Sequence, residues 1–212
     1  LRYKEERQAL SVAQNAVAAI PESAELLDAL GRAQLANGDT NQAITTLNKV
    51  AGMQPLSAQP LMRLADAHMS AKNKDAAAQS LRKALEVKSD LVDAQRGLIM
   101  LSLDAKKYPE AIAIARTVQK QRPKEAIGYI LEGDVNAAQK NWESAIAAYR
   151  VGLKDAPSSE LAVKAHAALN GSNKAADAEK FAVTWIKDHP ADAAFQFYLG
   201  DYAIARKDYA AA

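Results

Sequence analysis

The 212-residue chain contains no cysteine. That excludes disulfide bonds, thiolate metal centres and cysteine nucleophiles, and it leaves the compartment open. Aromatic residues are scarce at 6%, so small aliphatic side chains must fill most of any interior. An excess of one charge sign is missing too: 27 basic and 25 acidic residues leave a formal net charge of +2. So close a balance gives no electrostatic ground for nucleic acid or anionic lipid as partner. No apolar run approaches the roughly 18 residues of a membrane span, so no direct span is expected. Nothing at Leu1 reads as a signal peptide, and the first residue is not methionine. The three histidines, His68, His166 and His189, form no HExxH motif and no i, i+4 pair. Neither a metal site nor a cofactor is expected from them.

What the chain does contain is alanine at a fixed stride. Ala9, Ala43, Ala77, Ala111 and Ala145 are each 34 residues apart, and the column continues at Ala178, one residue short, and Ala212. A second column holds Pro21, Pro55, Ser89, Pro123, Pro157 and Pro190. A period of this length marks a stacked repeat protein, in which each unit touches only its neighbours. Alanine favours helices and is depleted in strands, so the expected class is all-α. The repeats are read as 24–57, 58–91, 92–125, 126–159 and 160–192, between half-repeats 1–23 and 193–212 of one array. Leu1 falls inside a repeat and Ala212 at a helix start, the pattern of a piece of a longer array.

The first full repeat shows the local logic. Leu27, Leu30, Gly31, Ala33 and Leu35 have the spacing of a helix. Asn37-Gly38-Asp39 breaks it, with glycine suited to a left-handed C-cap. Asp39 can cap the second helix, and Gln42 completes a capping-box pattern. That helix carries Ala43, Leu47 and Val50 and ends before Pro55, which lacks an amide donor. Asn73, Asn141 and Asp208 recur as turn caps, and Pro109 suits a first helical turn. Eleven or twelve helices of 12–16 residues are expected, with the missing residue at or near Asn170-Gly171-Ser172-Asn173.

The motif Leu27-x2-Leu30-Gly31, Ala43-x3-Leu47, Pro55 resembles the tetratricopeptide repeat (TPR). The likeness extends over essentially the whole chain. It implies a right-handed α-solenoid of helix-turn-helix repeats, in which the alanine column marks where the second helix crosses the first. Gly31, Ala65, Gly133 and Gly200 then form the facing notch. Ile99, Glu132, His166 and Ser89 depart from the pattern. The segments 131–134, 145–149 and 185–190 also resemble TPR lipoproteins of bacterial PEP-CTERM/exosortase and exopolysaccharide systems. That narrower likeness implies a cell-envelope location, periplasmic or outer-membrane-associated; otherwise the chain is cytoplasmic.

The family implies a concave groove lined by first helices. Transferring its positions gives Glu25, Asp28, Arg32 and Leu35; Gln59, Met62, Asp66, Met69 and Ser70; Asp93, Arg96, Met100, Leu103 and Asp104; and Ile127, Ile130, Asp134 and Ala138. Met62, Met69, Met100, Leu103 and Ile130 make an apolar strip beside Arg32, Arg96, Asp66 and Asp134. Methionine adapts to varied shapes, and such a strip suits an extended or helical peptide. The same side chains could instead fill gaps between repeats. A lysine/asparagine carboxylate clamp is absent at these positions, which carry Asp28, Arg32 and Arg63.

Catalysis is not expected. Glu132 and Asp134 are two apart on a helix and do not share a face. Glu132 stands where other repeats have leucine, and requires either a cation or a raised pKa. Arg116, Lys120, Arg122 and Lys124, with Lys106 and Lys107, form a basic cluster expected on a solvated back face. Trp142 and Trp185 are expected in the core, as are His68 and His166 with hydrogen-bonding roles, whereas His189 is expected in water. The function expected is a non-catalytic scaffold for a protein or peptide. The alternative is an envelope adaptor in exopolysaccharide or protein export with contacts outside the groove. Phe195, Leu199 and Tyr202 lack a following helix, so end-to-end self-association is expected.

Overall fold

Helix follows helix wherever the apolar spacing and caps ask for one. The computed structural model describes residues 2–207, with side chains from Glu5 onward. Among these, twelve helices run in order: α1 (Arg2–Ala19), α2 (Ala24–Ala36), α3 (Thr40–Met53), α4 (Ala58–Ser70), α5 (Lys74–Val87), α6 (Val92–Asp104), α7 (Tyr108–Gln121), α8 (Ile127–Ala138), α9 (Trp142–Asp155), α10 (Ser159–Gly171), α11 (Ala175–Asp188) and α12 (Ala193–Ala205). No strand occurs among the described residues. Asn73 and Asn141 cap α5 and α9 by accepting from Ala76 N and Ser144 N. Gly38 ends α2 at φ +88°, the left-handed region that glycine enters freely. Pro109 sits in the first turn of α7.

Asp39 departs from the expected cap. Its side chain makes no capping bond to α3; it accepts instead from Asn37 Nδ2 at 2.7 Å. The local Asn37 bond competes with the helix amide and wins. Asp208 and Ala212 lie outside the described residues.

The helices group into two compact units, Leu1–Leu101 and Ser102–Ala212. In the first, α1 packs on α2, α2 on α3, α3 on α4 and α4 on α5. In the second, the sequence of contacts is α7 on α8, α8 on α9, α9 on α10 and α10 on α11, with α12 against α10. Each is thus built from antiparallel neighbours. Ala43, Ala77, Ala111 and Ala145 are fully buried and Ala178 nearly so, whereas Ala9 on α1 is exposed.

The notch is filled by the large residue four positions beyond the alanine. A Cβ added at Gly31 would stand 2.7 Å from Leu47, and one at Gly133 only 2.0 Å from the Tyr149 ring. Leu47 has no exposed surface, a burial that contributes about 1.5–3 kcal/mol. Around it, Leu64 and Ala67 are buried, with Leu35 and Ile44 packed beside them.

The shortened repeat is shortened elsewhere than expected. The links α2–α3, α4–α5, α6–α7, α8–α9 and α10–α11 have equal lengths, so the Asn170–Asn173 turn loses nothing. The α9–α10 link is one residue shorter than the α3–α4, α5–α6 and α11–α12 links. Hence Ser158 is the N-cap, accepting from Leu161 N at 3.2 Å. His166, the eighth residue of α10, therefore stands in the notch column and Ala165 in the leucine column.

Two glycine substitutions separate close packing from helix propensity. A Cβ at Gly128 would lie 2.6 Å from the Gln119 backbone nitrogen, while Gly52 has nothing within 4 Å. Gly128→Ala is expected to lower stability by about 1–3 kcal/mol. Gly52→Ala is expected to raise it by up to about 1 kcal/mol. Thermal unfolding followed by circular dichroism checks both.

Candidate binding surface

In the first unit the transferred groove positions fall on α2, α4 and α6, in three settings. Asp28 is tied down: Arg63 of α4 pairs with it, and Arg32 Nε lies 3.3 Å from Oδ2. With Glu25, Gln54 and Gln59 these residues line a cavity of 270 Å³. Leu35 packs against the core and adds little surface. Met62 and Met69 are half-buried, while Asp66, Arg96 and Met100 are exposed, Met100 at 55%. Met62 also lines a cavity of 630 Å³ with Leu91 and Asp93. Burial pushes the Asp66 carboxyl above its ordinary value, although the residue as a whole is open to solvent.

In the second unit the transferred positions are mixed: Asp104 and Ala138 are exposed, while the others are partly or fully covered. Ile130 is 3% exposed and belongs to a core cluster with Tyr129, Ile146 and Tyr149. It is therefore packing and not groove wall. Leu103 and Ile127 are half-buried. Asp134 accepts from the Tyr149 hydroxyl at 2.6 Å and from Lys164 Nζ at 2.9 and 2.8 Å. Burial first, and then the Asp134 hydrogen bond, hold the Tyr149 phenol far above its ordinary pKa.

Glu132 answers the question its position raised. Arg116 Nε donates to Oε1 at 2.8 Å and Gln119 Nε2 to Oε2 at 2.6 Å. The cation is there, drawn from the basic cluster expected to be solvated. Glu132 and Asp134 thus look toward different helices, and no shared acid–base pair forms. No group of three or more metal-ligating acidic or histidine side chains occurs among the described residues.

The histidines divide. His166 is 4% exposed, lies edge-on to Phe195, Tyr198 and Tyr202, and brings Nδ1 to 2.9 Å from the Tyr198 hydroxyl. Burial lowers its pKa, and does the same to His68. His68 Nδ1 is buried without the hydrogen bond expected of it. His189 is not simply solvated: it stacks on Trp185 with ring centroids 3.8 Å apart. That stack covers the Trp185 face while the indole N–H donates to Asp192 at 2.8 Å. Phe195, expected to be exposed at an open end, is fully buried beside Trp185 and Ala182; Phe197 is the exposed ring, at 74%.

Arg63, Lys164 and Gln119 carry much of this surface chemistry without a motif to announce them. Their only signal is spacing: Arg63 and Lys164 are each the sixth residue of a first helix, placed to reach the preceding one.

Stacked helix hairpins that touch only their neighbours are the architecture of repeat scaffolds, and comparison with known proteins gives the same architecture. The family model described as tetratricopeptide repeat matches residues 29–91 and 92–160; the chain belongs to that family. No curated protein matches it. Among solved structures it is similar to MamA from Desulfovibrio magneticus RS-1, at 17% identity and TM-score 0.59, covering 81% of this chain and 98% of that one. It is similar also to pilF of Pseudomonas aeruginosa, at 19% identity and TM-score 0.57, covering 90% and 87%. The Cut9–Hcn1 hetero-tetramer of the APC/C matches at 15% identity and TM-score 0.57, covering 98% of this chain and 41% of that one. At these identities the likeness is one of fold. The narrower likeness to exosortase-associated lipoproteins gains no support from the matches.

The buried histidine sets a pH dependence. Its folded pKa lies below the ordinary 6.5, so neutral His166 supports the fold fully above that value. The support is lost as pH falls through the folded pKa. His68 acts in the same direction and the raised Asp66 in the opposite one. Unfolding temperature should drop between pH 7 and 5, and His166→Phe should flatten the drop. A scan of melting temperature against pH decides.

Proposed function

We propose that the chain is a non-catalytic scaffold that holds a peptide or protein segment against the first-helix face of its first unit. Family membership supports the scaffold role in general. The single observation behind the location is the mixed surface of half-buried Met62 and Met69 with exposed Met100, Asp66 and Arg96. Thioether side chains repack around unlike shapes at little cost, and charges at their edge set orientation. The paired charges of the second unit, Asp134 with Lys164, are already spent on each other, which favours the first unit as the receptive one.

A second reading places the contacts on the other side of the helices, in an assembly adaptor. A cavity of 620 Å³ lined by Ile112, Arg116, Gln119, Glu132, Asn136 and Ser144 among others favours it. The polar side chains among its walls suit a hydrogen-bonding partner.

Site-specific photocross-linking separates the two. A benzophenone side chain at Met69 or Met100 should yield partner adducts, and one at Lys83 on α5 should not. Adducts formed chiefly from Val151 or Lys83 would move the site off the first helices.

A further inference from the structure

Two ion pairs join successive first helices, and a third position holds only one half of such a pair. Arg63, sixth residue of α4, reaches back to Asp28 on α2. Lys164, sixth residue of α10, reaches back to Asp134 on α8 at 2.8 Å. The sixth residue of α6 is Gly97, where a Cβ would already stand 2.8 Å from Leu81 Cδ1. Any side chain there would have to displace that leucine methyl, and glycine itself supplies no cation. Asp66, in the same repeat column as Asp134, is thereby left without an ion pair or hydrogen bond among the described residues. Arg96, the residue before Gly97, is exposed and equally without a partner among them. Partial burial already disfavours the charged form of the Asp66 carboxyl, so an opposite charge brought beside it would stabilise that form. Both groups lie in the first unit, on the helices that carry Met62, Met69 and Met100.

We propose that Asp66 and Arg96 are the specificity-determining residues of this surface, selecting a segment that presents one cationic and one carboxylate side chain around an apolar residue. The carboxylate meets the Arg96 guanidinium, whose planar fork matches it. The ammonium or guanidinium of the segment takes the place beside Asp66 that Lys164 takes beside Asp134. The apolar residue seats on the methionines. This assignment rests on the reading that the first-helix face of the first unit binds a peptide.

The test is selection of a phage-displayed random dodecapeptide library on the full chain, followed by fluorescence anisotropy with synthetic copies of the enriched peptides. The peptides should carry an acid and a base flanking an apolar residue. Arg96→Glu and Asp66→Lys should each weaken them by about 10- to 100-fold. A peptide whose acid is changed to lysine should regain affinity for Arg96→Glu, a rescue that no folding defect could mimic. Enriched peptides that ignore both substitutions and the swap, yet are lost on Met69→Glu, overturn the specificity assignment while the surface stands. Peptides that bind the Met69→Glu variant as tightly as the native chain, or a library that yields none, overturn the surface itself and the assignment with it.

Discussion

Two helices can lie close together only where one of them gives up a side chain. At Gly133 that sacrifice admits the ring of Tyr149, and at Gly31 the isobutyl group of Leu47. The helix loses propensity at each glycine, roughly 1 kcal/mol relative to alanine, and gains a buried large residue in return. Volume is exchanged across the pair, not merely removed. His166 fills the notch column in α10, and Ala182 in the facing α11 is correspondingly small; both line one cavity of 480 Å³. In the sequence Ile99 is followed at the same spacing by Ala115. The sum of the two side chains is held more nearly constant than either one.

That constraint reaches the polar surface. Tyr149 enters the notch ring first and delivers its hydroxyl to Asp134, 2.6 Å away. Asp134 is thereby oriented toward Lys164 on the next first helix. A packing residue thus positions an acid, and the acid joins two repeats. The same device fails at α6 because Gly97 is needed for close approach to Leu81. What packing takes away there leaves Asp66 without an ion-pair partner among the described residues.

The fold was legible in the sequence because period, alanine column and proline column all report the same hairpin. The helix count and the asparagine caps followed from local spacing. Less was readable where three-dimensional neighbours decide. The missing residue could not be located by columns alone, since His166 and Ala167 both tolerate the notch assignment until helix ends are known. Ile130 and Met100 look alike as apolar groove positions, yet one is buried and the other open, because exposure depends on the neighbouring helix. Local pattern makes Asp39 a cap and the family transfer makes Asp134 a ligand contact; Asp39 instead accepts from its near neighbour Asn37, and Asp134 from Tyr149 and Lys164 on later helices. The turn before Pro190 points His189 to water, yet Trp185 stands four residues earlier, the helical spacing that brings the two rings together.

The central claim is that the glycine notch and the large side chain four residues past the alanine form one unit of packing. A double-mutant cycle at positions 133 and 149, measured by urea unfolding, tests it most directly. Gly133→Ala alone should cost about 1–3 kcal/mol. In a Tyr149→Ala background the same change should stabilise by up to about 1 kcal/mol, since only helix propensity remains. Equal penalties in both backgrounds, the additivity of independent sites, would contradict the account.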